Sequence, residues 1–142
     1  MSSEADLRDL IDERVRAIRA KDLDAVLAGY AEDVITFDLV APLANRGKAA
    51  VRKRLAEWLG SFETALDYEL RDVTLAIAGD VAFDHHVTHV HGTNKQGQTI
   101  EMWFRETLGY RRGSDGTWRC VHQHSSSPFD MTTMKAVLDL KP

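Results

Sequence analysis

From about residue 64 the sequence adopts a two-residue period, and this constrains the fold more than any other feature. Leu66, Tyr68 and Leu70 alternate on one phase, whereas Val73, Leu75 and Ile77 alternate on the other. Successive strand side chains point to opposite faces, so a one-residue phase switch within a strand marks a β-bulge, which bends and twists the sheet. The bulge is expected near Arg71 and Asp72. Three turn signals then divide the rest: Gly79-Asp80, NKQG (94–97) and GSDG (113–116). They separate DVAFDHHVTHVHG, TIEMWFRETLGYRR and TWRCVHQHSSS. Three hairpins joining four successive strands make an antiparallel, bent sheet.

The first half has helical spacing. Leu7, Leu10, Ile11, Val15 and Ile18 define one amphipathic helix. Asp22 is placed to cap a second helix carrying Leu23, Val26, Leu27 and Tyr30. VITFD (34–38) is β-prone, and a loop with Pro42, Asn45 and Gly47 follows it. Val51, Leu55, Trp58, Leu59 and Phe62 mark a third helix. Helices and strands are segregated along the chain, which predicts an α+β fold. A bent sheet wrapped around the third helix leaves a cavity at its open end. A single domain is expected over residues 1–142, since nothing reads as a linker or repeat.

Charge excludes some function classes. The formal net charge is −4, and acids and bases are interspersed. Without a basic block, neither nucleic acid nor an anionic membrane is an expected partner. No apolar run approaches the roughly 20 residues needed to cross a bilayer, and the N-terminus lacks a secretory pattern. The single Cys120 cannot form an internal disulfide. A cytoplasmic location is the expectation.

Chemistry-bearing residues concentrate in the strands. All six histidines, His85, His86, His89, His91, His122 and His124, lie in two of them. Regular alternation puts His85, His89 and His91 on one face and His86 on the other. His89/His91 and His122/His124 are His-x-His pairs able to chelate a metal, but no third ligand is apparent, and no metal or cofactor is expected. Asp38 closes the 34–38 run and is a candidate general base; a turn, a helix cap or an arginine pair are its structural alternatives. Asp84 invites the same question, since acids are uncommon within strands. Trp103, Arg105 and Thr107 share a phase, opposite Met102, Phe104 and Leu108, which resemble core. Arg105 can bind an anion, or it can pair with Glu63, Glu69 or Glu101 on a face buried against another subunit. Trp118 is expected to anchor packing and Cys120 to be an inert core thiol. Phosphate-binding loops, a Rossmann fingerprint, HExxH and GxSxG are absent from the sequence.

Several of these segments carry a family resemblance. They are Phe37-Asp38, Arg46-Gly47, Gly79-Asp80-Val81-Ala82-Phe83, Met102 to Thr107, Val121 to His124 with Ser126, Pro128 and Asp130, and the end Leu138 to Pro142. Together they resemble the SnoaL-like, ketosteroid-isomerase-homologue group of bacterial proteins within the nuclear transport factor 2-like superfamily. The last strand, WRCVHQHSS, is also similar to the close of the association domain of calmodulin-dependent kinases. The resemblance implies a cone-shaped bent sheet wrapped around N-terminal helices, commonly homodimerising through the sheet. In isomerase members of the superfamily an Asp base removes a proton beside a carbonyl, and acidic donors stabilise the enolate. Other members are cyclases, dehydratases or non-catalytic modules.

The resulting expectation is a small-molecule-binding domain, either a cofactor-independent isomerase or related acid–base enzyme, or a non-catalytic binding or dimerisation module. Asp38 and His85 are candidate bases, and Arg105 and His124 candidate oxyanion donors. Phe37, Trp58, His86, Trp103, Thr107 and His122 are candidate ligand contacts.

Overall fold

A computed structural model describes residues 2–142. The N-terminal helix α1 (Ser3–Arg19) starts where Ser2 accepts a hydrogen bond from the Ala5 amide at 3.2 Å. Glu4 and Asp6 occupy its first turn and Arg16 and Arg19 its last, complementing the helix dipole. Asp22 caps α2 (Leu23–Ala28), its carboxylate accepting from the Ala25 amide at 3.1 Å. That helix is shorter than its apolar pattern suggested: Tyr30 opens strand β1 (Tyr30–Phe37). After the short strand β2 (Asn45–Arg46) comes α3 (Lys48–Gly60). The meander follows as β3 (Asp67–Ala78), β4 (Val81–Thr93), β5 (Thr99–Arg112) and β6 (Trp118–Ser126). A small hairpin of β7 (Phe129–Asp130) and β8 (Lys135–Ala136) precedes the C-terminal end.

Six strands form one sheet in the order β2-β1-β6-β5-β4-β3. The four meander strands pair antiparallel as expected. Strand β1 adds to the sheet beside β6 in parallel, a long-range pairing that local patterning does not encode. The bulge expected near Arg71 and Asp72 is present. Arg71 pairs with Val87 and Thr74 with His85, so Asp72 and Val73 stand opposite His86 alone. Asp72 takes up the extra residue with a φ of 57°. A second bulge lies in β6. Tyr110 pairs with Cys120 but Gly109 with His122, leaving Val121 unmatched.

The concave face of the sheet packs on the helices. Leu7, Ile18, Val26 and Leu27 meet Val34, Val90, Phe104, Leu108 and Tyr110 in one core. Full burial of each large aliphatic side chain contributes about 1.5–3 kcal/mol. Trp118 and Cys120 belong to this core, as expected. Burial pushes the Cys120 thiol up to about 12, well outside the reactive range. Gly92 is required by a close approach: a Cβ there would lie 3.0 Å from the Phe62 ring. No described helix is long and apolar enough to cross a membrane.

Candidate ligand-binding site

The bent sheet, α1 and α3 enclose a cavity of about 360 Å³. Its walls are mainly apolar, including Ile18, Val51, Leu55, Trp58, Met102 and Phe104. Its floor is polar. Arg14 comes from the buried stripe of α1, Tyr30 from the start of β1, Tyr68 from β3, Glu106 from β5, and Gln123 and Ser125 from β6.

Glu106 is the centre of this floor and its side chain is only 2% exposed. Oε1 accepts from the Tyr68 hydroxyl at 2.7 Å, the Thr88 hydroxyl at 2.6 Å and His86 Nε2 at 3.3 Å. Oε2 accepts from Gln123 Nε2 at 2.6 Å, Ser125 Oγ at 3.3 Å and Arg14 Nη2 at 3.4 Å. Burial alone opposes the charge, but Arg14, His86 and Thr88 outweigh it and hold the carboxyl below the usual carboxylate range. With both oxygens fully engaged, Glu106 is an organising anion rather than a proton acceptor.

Behind Glu106, His86 Nδ1 donates to Asp84 Oδ1 at 2.6 Å while Nε2 faces Glu106. Two carboxylate partners require both ring nitrogens to donate, which is the imidazolium form. Burial works against that charge, yet the bonds to Asp84 and Glu106 leave the ring above its ordinary value. Asp84 also accepts from the Tyr110 hydroxyl. The strand acid at residue 84 is thus a buried partner of His86 in the interior.

The rim is formed by Thr36 to Val40 and by the C-terminal end, where Ala136 and Leu138 reach the cavity. Asp38 lies here with its side chain 25% exposed. One oxygen accepts from the Leu39 amide at 2.6 Å, and the other lies 2.9 Å from Arg54 Nε of α3. The arginine pair considered from sequence is therefore present, and the cavity lies beside it. The tail is held by a hydrogen bond from the Trp103 amide to the Leu138 carbonyl at 2.7 Å.

The candidates from sequence divide between the two faces of the sheet. Asp38, Phe37 and Trp58 line the cavity, and His86 lies behind its floor. His85, Trp103, Arg105, Thr107, His122 and His124 project from the opposite, convex face and do not reach the cavity. On that face His89 stacks on Trp103 with centroids 4.2 Å apart, and Arg71 covers the same indole at 5.6 Å. Arg105 is exposed, and it forms none of the ion pairs with Glu63, Glu69 or Glu101 considered for it; Glu69 pairs with Arg71 and His89. Among the described residues, no group of three His, Cys, Asp or Glu side chains is arranged to hold a metal.

The bulge at Val121 explains the largest displacement. It turns His122 and His124 outward and brings Gln123 and Ser125 into the cavity. Other floor residues left readable signals. Arg14 shares the helical stripe of Leu7, Ile11 and Ile18, and Glu106 occupies the core phase of Met102, Phe104 and Leu108. Nothing local distinguished Tyr30 or Tyr68 from ordinary core aromatics.

A curved sheet closed by N-terminal helices around a cavity defines the nuclear transport factor 2-like, cystatin-like class of α+β domain. The chain belongs to the SnoaL-like domain family, whose profile matches residues 7–130. It is similar to an NTF2-like protein of unknown function from Pseudomonas putida, at 35% identity and a TM-score of 0.88, covering 100% of this chain and 99% of that one. A ketosteroid isomerase-like protein from Erwinia carotovora shares the fold at 23% identity and TM-score 0.76, covering 90% of this chain and 100% of that one. A putative dehydratase from Streptomyces avermitilis does so at 17% identity and TM-score 0.76, covering 89% and 97%. No curated protein matches the chain in sequence.

Proposed function

We propose that the cavity binds one small molecule with an apolar body and a single polar end. The observation that carries this reading is the division of one cavity into apolar walls and a hydrogen-bonded floor. Its volume of about 360 Å³ falls in the range of small-ligand sites. Mass spectrometry of organic extracts from the purified protein tests the proposal, with Leu55→Trp as the control. A bound molecule in the wild type that is absent from the folded Leu55→Trp variant is expected. Equal recovery from both would refute the site.

Asp38 favours a second, catalytic reading, as a cofactor-independent isomerase or related acid–base enzyme. It is the one carboxylate on the cavity surface whose lone pairs are not all taken by the floor network, and it is partly open at the rim. Its role would be to take a proton from carbon beside a carbonyl.

We propose a second copy of the chain as partner of the convex face. Phe83 and His85 are exposed there, alongside the buried but unpaired Trp103 Nε1. One end of this face carries Asp67, Glu69 and Glu101, and the middle carries Arg71 and Arg105, an arrangement that a twofold axis across the strands can make complementary. Light scattering should give twice the chain mass; a monomer at micromolar concentration refutes the pairing.

A further inference from the structure

The hydroxyl hydrogens on the cavity floor are already divided among its residues. A phenol has one O–H to give. Tyr68 donates its hydrogen to Glu106 at 2.7 Å, and Tyr30 donates its own to Gln123 Oε1 at 2.6 Å. Neither tyrosine retains a hydrogen for a ligand. Glu106 has no free lone pair, because six donors surround it.

Arg14 is different. A guanidinium carries five N–H groups. One on each nitrogen is engaged: Nε with the Tyr30 hydroxyl at 3.4 Å, Nη1 with the Tyr68 hydroxyl at 3.2 Å, and Nη2 with Glu106 at 3.4 Å. One hydrogen on Nη1 and one on Nη2 have no partner among the described residues. The side chain is 13% exposed and lines the cavity.

The charges are also closed. Arg14 and the His86 imidazolium balance Glu106 and Asp84, and at the rim Arg54 balances Asp38. An anionic ligand head would bury a charge with no free counterion, whereas an uncharged oxygen would not.

Building on the binding reading above, we propose that Arg14 is the specificity-determining residue of the cavity, receiving the acceptor oxygen of an uncharged, carbonyl-type head group on its two unused N–H groups. This assigns to the first helix the donor role for which Arg105 and His124 were candidates.

Calorimetric titration with three probes of one shape tests the proposal: 4-phenylcyclohexanone, phenylcyclohexane and 4-phenylcyclohexanecarboxylate. The wild type should bind the ketone about ten-fold or more tightly than the hydrocarbon, the scale of one hydrogen bond to a charged donor. The carboxylate should bind more weakly than the ketone. The charge-neutral double variant Arg14→Met/Glu106→Gln should keep its affinity for the hydrocarbon and lose the ketone preference. The infrared carbonyl band of the ketone bound to the wild type provides a measurement free of mutation. It should lie below its position in hexane, and a hexane-like band overturns the proposal. So does tighter binding of the carboxylate than of the ketone, or a ketone preference that survives in the double variant. Probes that bind without preference refute the role of Arg14 alone. If the wild type binds none of them, the binding reading fails too.

Discussion

Replacing Glu106 by glutamine nearly preserves the shape of the side chain but removes its charge and turns one acceptor into a donor. In the native floor Oε1 and Oε2 each face three donors. Whichever position the amide nitrogen takes, it confronts three groups that also donate. Arg14 and His86 lose their shared anion at the same time. Removing one partner of a buried pair costs about 3–5 kcal/mol, against a total stability of roughly 5–15 kcal/mol for a domain. At about 3 °C per kcal/mol for a chain of this size, Tm should fall by roughly 10–15 °C in thermal unfolding followed by circular dichroism. The acid limb gives a second signature. Glu106 titrates below the usual range in the folded state, so its contribution is complete above the unfolded value of about 4.3 and is lost as pH falls through the depressed folded value. The variant should therefore lose less stability than the wild type between pH 5 and acid, as measured by urea midpoints. A change in Tm under about 3 °C, the scale of 1 kcal/mol, would refute the view of Glu106 as the anion that organises the floor.

His86 has the opposite sign: its raised folded value makes its contribution complete below about pH 6.5, declining as pH rises through the folded value. The urea midpoint of the wild type should show this decline and His86→Asn should not; the same slope in both sinks the assignment. Asp38→Asn should slow exchange of α-deuterium from a bound ketone by roughly 100- to 10,000-fold in NMR, and an unchanged rate removes Asp38 as base. Gly92→Ala should lower stability by about 1–3 kcal/mol through overpacking against Phe62 and Leu66; a midpoint equal to wild type would contradict that contact. Cys120 should resist a thiol reagent at pH 8 until urea unfolds the chain, and rapid labelling of the native protein would refute its burial.

The meander was legible because its information is local. Alternation defines strand faces, and Gly79, Gly97 and Gly116 take the positive φ values their turns require. The bulge at Asp72 was legible for the same reason, since the apolar phase switches within one strand. The parallel pairing of β1 with β6 joins segments nearly ninety residues apart, as in the partners Ile35 and His122. No periodicity within either segment records that partnership. Tyr30 illustrates the same boundary: its spacing continues the stripe of Leu23, Val26 and Leu27, but the pairing of β1 draws it into the sheet.

The cavity was harder to read than the fold because its composition depends on two single-residue irregularities. In β6 the sequence WRCVHQHSS gives no phase switch, since Cys, Val, His and Gln all tolerate either face. The bulge at Val121 nonetheless decides that Gln123 and Ser125, and not His122 and His124, approach Glu106. In β3 the bulge keeps Tyr68 and Leu75 on the same inner face although seven residues separate them. Polar residues on inner phases are then forced to satisfy one another. Glu106 recruits Arg14 from the first helix and Tyr68 from the edge strand, and His86 links it to Asp84. An arginine in an apolar helical stripe and an acid in a core strand phase each look like a local conflict. Each resolves the other: Glu106 and the two tyrosine hydroxyls fix the guanidinium, and Arg14 lines the cavity with two of its N–H groups still unpaired.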